Sequence, residues 1–431
     1  MAAPTSDLIA ELRWRNMVQD IVPETEAYLA GDGASGYIGF DPTASSLHVG
    51  SLLPIVLLRH LQRAGVRPIA LVGGATGMVG DPSGKSAERN LLDRATLEAN
   101  VAGIEAQLRQ LLDFNHPTAP AVLRNNLDWM GELSFLDFIR DVGKHITVGY
   151  MMTKDSVRNR LQTGLSFTEF SYQLIQGYDF LHLHRTEGCG LQCGGSDQWG
   201  NITTGIELIR RMDGGSAYAF TCPLLTRADG SKFGKSAEGE NIWLDPERTS
   251  PYRFYQFWIN QADADAGELL RKFTFLEHGE IEALEKSHAD QPHRRILQSA
   301  LAREVTTWVH GEAACERAIA ASQILFGRST RDDLERLGPR DLEEIFSGVP
   351  RFEVERSVLE EGIDILDFLT EATDILPSKG EGRRALKENS IQVNKEKVAS
   401  GFTVDGSCLL ADRHVVVQRG KKKYFLVTVT S

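Results

Sequence analysis

Gly36-Tyr-Ile-Gly-Phe-Asp-Pro-Thr-Ala-Ser-Ser-Leu-His-Val-Gly50 decides the fold. Gly36-Tyr-Ile-Gly-Phe40 reads as a strand, Asp41-Pro42-Thr43 as a polar turn, and the apolar run from about His48 to Ala64 has helical spacing. A strand that leaves through a tight turn into a helix is the opening of a β-α-β unit. Working outward, Arg67-Pro-Ile-Ala-Leu-Val-Gly73 reads as the next strand and ends in a glycine-rich loop. Ala121-Val-Leu-Arg124 and Gly188-Cys-Gly-Leu-Gln-Cys193 read as further strands with helices beside them. This alternation predicts an α/β domain on a doubly wound, Rossmann-like parallel sheet, with ligands at the carboxyl ends of its strands.

Beyond about Ser250 the pattern becomes helical up to Phe326, and Ser357 to Ser431 alternates helix and strand. The expected division is therefore a catalytic domain over 1–240, a helical domain over 241–327, a charged linker with Gly-Pro breakers over 328–356, and a small α+β domain over 357–431. At 431 residues the chain is too long for one core. Its 42% hydrophobic and 25% charged content is that of an ordinary globular protein. No apolar run approaches the ~18 residues of a membrane span, and the N-terminus lacks a secretory apolar core, so the cytoplasm is the expected compartment. Five cysteines, with Cys189 and Cys193 spaced outside the zinc and redox patterns, are expected to be buried thiols, with no metal site. The net charge of −12 is uneven: Leu376 to Tyr424 holds 11 Lys/Arg against 5 Asp/Glu. A basic terminus on an acidic body predicts local docking of a polyanion.

Four segments carry chemistry. At the helix start after Asp41, unpaired N–H groups suit a phosphate, His48 and Thr43 can donate to its oxygens, and Gly50 lets a flat ligand approach. Lys232-Phe-Gly-Lys-Ser236 sets two ammonium groups around a glycine, a loop able to close over a polyphosphate. Tyr172, Gln176 and Asp179 fall at i, i+4 and i+7, a helix stripe too polar for core unless it lines a wet pocket. Ser196 or Asp197 follows a strand and precedes a helix, as an N-cap does. Gly80-Asp-Pro-Ser-Gly-Lys-Ser86 imitates a P-loop, but Val79 stands where that motif needs glycine, which excludes it.

The H-V-G helix start lies about 180 residues before K-F-G-K-S, and together they resemble the HIGH and KMSKS signatures of class I aminoacyl-tRNA synthetases. The chain is further similar to the bacterial-type tyrosyl-tRNA synthetase family. Tyr37-Ile-Gly-Phe-Asp-Pro-Thr43, Ala70-Leu-Val-Gly-Gly-Ala-Thr-Gly77, Ser166-Phe-Thr-Glu-Phe-Ser-Tyr172, Gly194-Gly-Ser-Asp-Gln-Trp-Gly-Asn201 and Ser250-Pro-Tyr-Arg-Phe-Tyr-Gln-Phe-Trp258 carry that similarity. The resemblance implies a ligase that joins tyrosine to ATP, with Mg²⁺ accompanying the nucleotide and no tightly bound cofactor, and then passes the tyrosyl group to tRNA(Tyr). It implies that Tyr37 and Asp179 bond the substrate hydroxyl, that Asp81, Tyr172 and Gln176 hold its ammonium group, and that Gln198 lies by its carboxylate. Gly39, Asp41, His48, Gly50, Gly195, Asp197, Lys235 and Ser236 would meet the nucleotide, with Thr43, His48, Lys85, Arg89, Lys232 and Lys235 serving phosphate transfer. Tryptophan activation, the rival on this fold, is disfavoured by the pairing of Tyr37 with Asp179.

At the C-terminus, Ser378-Lys-Gly-Glu-Gly-Arg-Arg-Ala-Leu-Lys387 and Gly420-Lys-Lys-Lys-Tyr424 resemble a small ribosomal-protein RNA-binding module. It would present Arg383, Arg384, Lys387, Lys421 and Lys422 to phosphates. A homodimer is also implied. Departures are Ser51 where the first signature ends in histidine, Ile38 where some relatives have cysteine, Pro54 early in the first helix, and Asn389-Ser390 where the module often has two glycines.

Overall fold

Strands β1 (Ser35–Phe40), β2 (Arg67–Val72), β3 (Val122–Asn125), β4 (Leu191–Gly195) and β5 (Tyr218–Cys222) pair in the order β3-β2-β1-β4-β5, every pairing parallel. The computed structural model describes residues 8–83, 92–160, 164–230, 233–234, 239–326, 330–346, 349–420 and 423–430. A parallel sheet is covered on both faces, so its strands read as apolar runs; in β2 every residue after Arg67 is buried. The helix Leu52–Arg63 is buried along most of its length, with Leu52, Ile55, Val56, Leu57, Leu58 and Leu61 fully enclosed. Pro54 stands in its first turn, where a missing N–H costs least. The chain leaves β1 toward β2 on one side and reaches β4 on the other, so the strand order reverses between β1 and β4. That reversal opens the crevice at the carboxyl ends.

The strands fall close to where the sequence places them, with two differences. β4 begins at Leu191 rather than Gly188, because Gly188 (φ 65°) is the left-handed stop of the preceding helix Phe167–Glu187. The edge strand β5 was not read from the sequence. Its open side is covered by the N-terminal segment, where Gln19 N–H donates to Thr221 O at 2.7 Å and Val22 N–H to Ala219 O at 2.9 Å.

The chain divides into two compact units, one of Met1–Thr249 with Phe257–Val309, the other of Ser250–Gln256 with His310–Ser431. The boundary expected after residue 240 therefore falls inside the first unit. The end of helix Asp263–Phe273 and its connection to helix His278–Asp290 are tied to the N-terminal segment by Arg15, 2% exposed, whose guanidinium donates to the carbonyls of Arg271, Thr274 and Leu276.

In the second unit, β6 (Arg351–Glu355), β7 (Ile363–Asp364), β8 (Ile391–Val393), β9 (Glu396–Lys397), β10 (Thr403–Val404), β11 (His414–Arg419) and β12 (Lys423–Thr430) form two sheets, β6-β12-β11-β8-β9 and β10-β7. The stretch 328–356, expected as a linker, takes part in this arrangement. It carries helices Arg331–Glu335 and Pro339–Ile345, and β6 pairs in parallel with β12 as part of the sheet. Buried Leu334, Leu342, Ile345 and Phe346 give that stretch a core of its own with Leu410, Val416 and Leu426. The charged surface of these short helices masked their apolar stripe in the sequence.

Candidate active site

The carboxyl ends of β1 to β4 converge on a cavity of about 260 Å³. Of the residues singled out from sequence, Tyr37, Gly39, Asp41, Thr43, Asp81, Tyr172, Gln176, Asp179, Gly195 and Gln198 all line it. The helix Phe167–Glu187 is started by Ser166, whose Oγ accepts from Glu169 N–H, and delivers the Tyr172, Gln176 and Asp179 stripe to the cavity wall.

Asp179 sits at one end, 1% exposed. Its Oδ2 accepts from Asn126 Nδ2 at 2.9 Å and its Oδ1 from Trp129 Nε1 at 2.9 Å. Burial pushes its pKa up to about 7, and the two donors oppose that rise. Tyr37, 1% exposed, has a hydroxyl with no hydrogen-bond partner among the described residues. Burial first and the Asp179 charge second hold this phenol well above its ordinary pKa, so it stays a neutral donor and acceptor. A buried hydroxyl left unpaired costs about 1–3 kcal/mol, which a ligand hydroxyl placed between Tyr37 and Asp179 would recover.

A chain of hydrogen bonds runs from there to the other end. Asn126 Nδ2 also donates to Thr76 Oγ1 (3.1 Å), Thr76 Oγ1 to Asp41 Oδ1 (2.7 Å), and the Tyr172 hydroxyl to Asp41 Oδ2 (2.8 Å). Gly73 must be glycine here, since a Cβ would lie 2.2 Å from both Asp41 Oδ1 and Thr76 Oγ1. Asp41, expected at the nucleotide, thus has both carboxylate oxygens engaged by Thr76 and Tyr172 in the cavity wall. Asp81 accepts from Gln198 Nε2 at 2.7 Å and from Ser83 N–H at 2.9 Å. Carboxylates at 41, 81 and 179 line the cavity with no lysine or arginine among the described lining residues. Such a wall selects a cation and repels a phosphate.

The first signature differs from its sequence reading. Its backbone donors are already used: Val49 N–H donates to Ile242 O (2.9 Å), Gly50 N–H to His48 Nδ1 (3.0 Å) and Ser51 N–H to His48 O (2.7 Å). The helix-start amides expected to take a phosphate are therefore occupied within the chain. His48 is the cap itself, and accepting at Nδ1 puts the proton of its neutral ring on Nε2. Gly50 is explained by the same contact, because a Cβ there would lie 2.8 Å from His48 Cε1. Thr43 is exposed on the cavity rim.

The second signature comes beside the first. A Cβ on Gly234 (φ 108°) would lie 3.7 Å from Gly50 N, and Phe233 packs on Phe257, Trp258 and Phe273. Lys232, Lys235 and Ser236 of that loop, and Lys85 and Arg89, lie outside the described residues. Asp197 lies by Gly195, where a Cβ would come within 2.6 Å of its Oδ1.

In the second unit, helix Lys379–Lys387 is capped by Ser378 and exposes Arg383, Arg384 and Lys387 while burying Ala385 and Leu386. Gly382 allows its close seat, since a Cβ would lie 2.4 Å from Leu366 Cδ1. Asn389 (φ 49°) takes the left-handed conformation that glycine often supplies. Lys421 and Lys422 lie outside the described residues.

Sequence reasoning missed Asn126, Trp129, Thr76 and Gln192. Asn126 directly follows β3, so the rule that sites form at strand carboxyl ends would have flagged it. Gln192, 2% exposed with Oε1 unpartnered, lines the cavity beside Tyr37, its partner in the β1–β4 register. A polar residue inside an apolar strand was its signal. All five cysteines are buried free thiols. Among the described residues, no helix is long and apolar enough to cross a membrane.

Comparison with known proteins gives the family of the chain. The chain belongs to the class I tRNA synthetases of the W and Y group, whose family model matches residues 32–327. Residues 341–427 match a second model, the tyrosine–tRNA ligase SYY-like C-terminal domain. The chain is 57% identical over 429 residues to a tyrosine–tRNA ligase of Porphyromonas gingivalis, covering 98% of this chain and 100% of that one. It is 55% identical over 429 residues to the tyrosine–tRNA ligase of Flavobacterium johnsoniae, covering 98% and 99%. Among solved structures, a C-terminally truncated mitochondrial tyrosyl-tRNA synthetase of Aspergillus nidulans matches with TM-score 0.67 at 31% identity, covering 74% of this chain and 94% of that one. A tryptophanyl-tRNA synthetase of Encephalitozoon cuniculi shares the fold, with TM-score 0.52 at 15% identity over 72% and 87% of the two chains.

Proposed function

We propose that this chain is a tyrosine–tRNA ligase in which the Tyr37–Asp179 end of the cavity reads the substrate hydroxyl. The observation that carries it is the buried, unpartnered Tyr37 hydroxyl in the cavity whose Asp179 carboxylate is held by Asn126 and Trp129. Asp81, Tyr172 and Gln176 take the ammonium group, and Gln198 lies by the carboxylate. Gly39, Gly195 and Asp197 face the nucleotide, with Asp41 acting through Tyr172 and Thr76. Thr43 and His48 donate to phosphate oxygens, joined by Lys85, Arg89, Lys232, Lys235 and Ser236 from the loops.

In the first step the tyrosine carboxylate attacks the α-phosphorus of ATP, which enters with Mg²⁺. A P–O bond forms, the α–β phosphoanhydride breaks, and pyrophosphate leaves. In the second step a terminal ribose hydroxyl of tRNA(Tyr) attacks the tyrosyl carbonyl carbon and AMP departs. No side chain is needed as an obligatory base. Rate comes from placing the two substrates and from charge set against the leaving phosphates.

Arg383, Arg384, Lys387, Lys421 and Lys422 give the tRNA position rather than base reading. A homodimer is supported by Phe135, Leu136, Ile139, Val148 and Phe167, which are 47–75% exposed on segments that pack around one small core. Sedimentation at micromolar concentration checks the dimer. Charging of bacterial tRNA with labelled tyrosine, dependent on ATP, checks the activity; folded protein that charges nothing would overturn it.

A further inference from the structure

The segment after the second signature folds back onto the first. Leu47 O accepts from Leu244 N–H and Ile242 O from Val49 N–H, both at 2.9 Å, so His48 and Trp243 face each other in an antiparallel bridge. The bridge is anchored at its base. Ser46, 4% exposed, accepts from Asp245 N–H at 3.2 Å and from Gln107 Nε2 at 2.9 Å, and Trp243 N–H donates to Thr249 Oγ1 at 3.0 Å.

On this frame the Trp243 indole stands edge-on to the His48 ring, with centroids 6.2 Å apart and planes at 62°. The Arg248 guanidinium lies 3.5 Å from the indole centroid and donates to Ser45 Oγ at 3.3 Å. His48 is thus limited from three directions: Gly50 N–H holds Nδ1, the absent Cβ of Gly50 leaves just the room the ring needs, and Trp243 closes the side. What these contacts fix is the direction of Nε2–H, the atom assigned to phosphate once the neighbouring amides are occupied.

We propose that Trp243, clamped by Arg248, is a positioning residue for His48 in the activation step. It touches no substrate; it acts by holding the imidazole in the pose that meets the phosphate. Through the bridge it also ties the Ile242–Leu244 stretch, which follows the second signature in sequence, to the His48 turn. The inference rests on the reading of His48 as a phosphate donor.

A double-mutant cycle in tyrosine-dependent ATP–pyrophosphate exchange tests it. Trp243→Ala should lower the exchange kcat by about 3- to 10-fold, the size of one aromatic-pair interaction, with the tyrosine KM within twofold of the parent. Trp243→Phe should restore most of the rate, and Arg248→Ala should lose about 2- to 5-fold. On a His48→Ala background Trp243→Ala should cost nothing further. An additive loss there, or a loss carried by the tyrosine KM, would overturn the proposal. So would an Arg248→Ala loss larger than that of Trp243→Ala, since the guanidinium would then meet phosphate itself. If His48→Ala alone leaves exchange unchanged, the reading of His48 falls and the positioning role falls with it.

Discussion

Replacing Trp129 with phenylalanine removes one hydrogen bond to Asp179 and little else. The indole Nε1 lies 2.9 Å from Asp179 Oδ1, and its ring stacks on His182 with centroids 4.3 Å apart, a stack phenylalanine keeps. A hydrogen bond to a charged acceptor is worth about 1.5–3 kcal/mol, and about 1.4 kcal/mol moves a pKa by one. The Asp179 midpoint should therefore climb from about 7 to roughly 8–9. At pH 7 the ionised share then falls from about half to roughly a tenth or less. The tyrosine hydroxyl donates to the ionised carboxylate, so kcat/KM for tyrosine should fall with that share, about 5- to 50-fold. Phenylalanine offers no hydroxyl, so its kcat/KM should barely move. Sites of this family that bond the hydroxyl reject phenylalanine by about 10⁵, and the variant should retain roughly 10³–10⁴. Pyrophosphate exchange with both amino acids from pH 6 to 9 measures all of this. Activity of the variant toward tyrosine should keep rising through about pH 8 to 9, where the parent has levelled off. Equal losses for tyrosine and phenylalanine, with an unchanged pH profile, would refute the reasoning.

Asp179→Asn should change the pH dependence of stability. Because the folded pKa of about 7 is raised above the ordinary 3.8, the parent holds its full contribution below pH 3.8 and loses it as pH rises through about 7. Urea unfolding should therefore show the variant gaining a few kcal/mol on the parent between pH 4 and 8, whatever their offset at one pH. Gly50→Ala places a methyl 2.8 Å from His48 Cε1, so stopped-flow activation should slow about tenfold or more while equilibrium binding of tyrosine stays put. Substituting Arg383, Arg384 and Lys387 together should weaken tRNA binding and flatten its log–log salt dependence by up to about 3, leaving pyrophosphate exchange unchanged.

The parallel sheet was legible because its strands are short apolar runs ended by glycine or a polar turn, as at Phe40-Asp41 and Val72-Gly73. The stripe of Tyr172, Gln176 and Asp179 was legible because helical spacing alone puts three polar side chains on one buried face. What the sequence hid depends on contacts distant along the chain. Asn126 and Trp129 matter only because β3 ends beside the middle of a helix some 50 residues later. Occupation of the His48-turn amides required Ile242, almost 200 residues away, so local reasoning left those donors open to a phosphate. Likewise β6 finds its partner in β12 across the whole second unit, and the charged faces around it read as a linker.

Tyrosine specificity is tested most directly by ATP–pyrophosphate exchange with each of the twenty amino acids in turn. The account predicts exchange with tyrosine alone, abolished or greatly reduced by Asp179→Ala and Tyr37→Phe. Exchange with tryptophan in place of tyrosine, or tyrosine exchange indifferent to both substitutions, would contradict it.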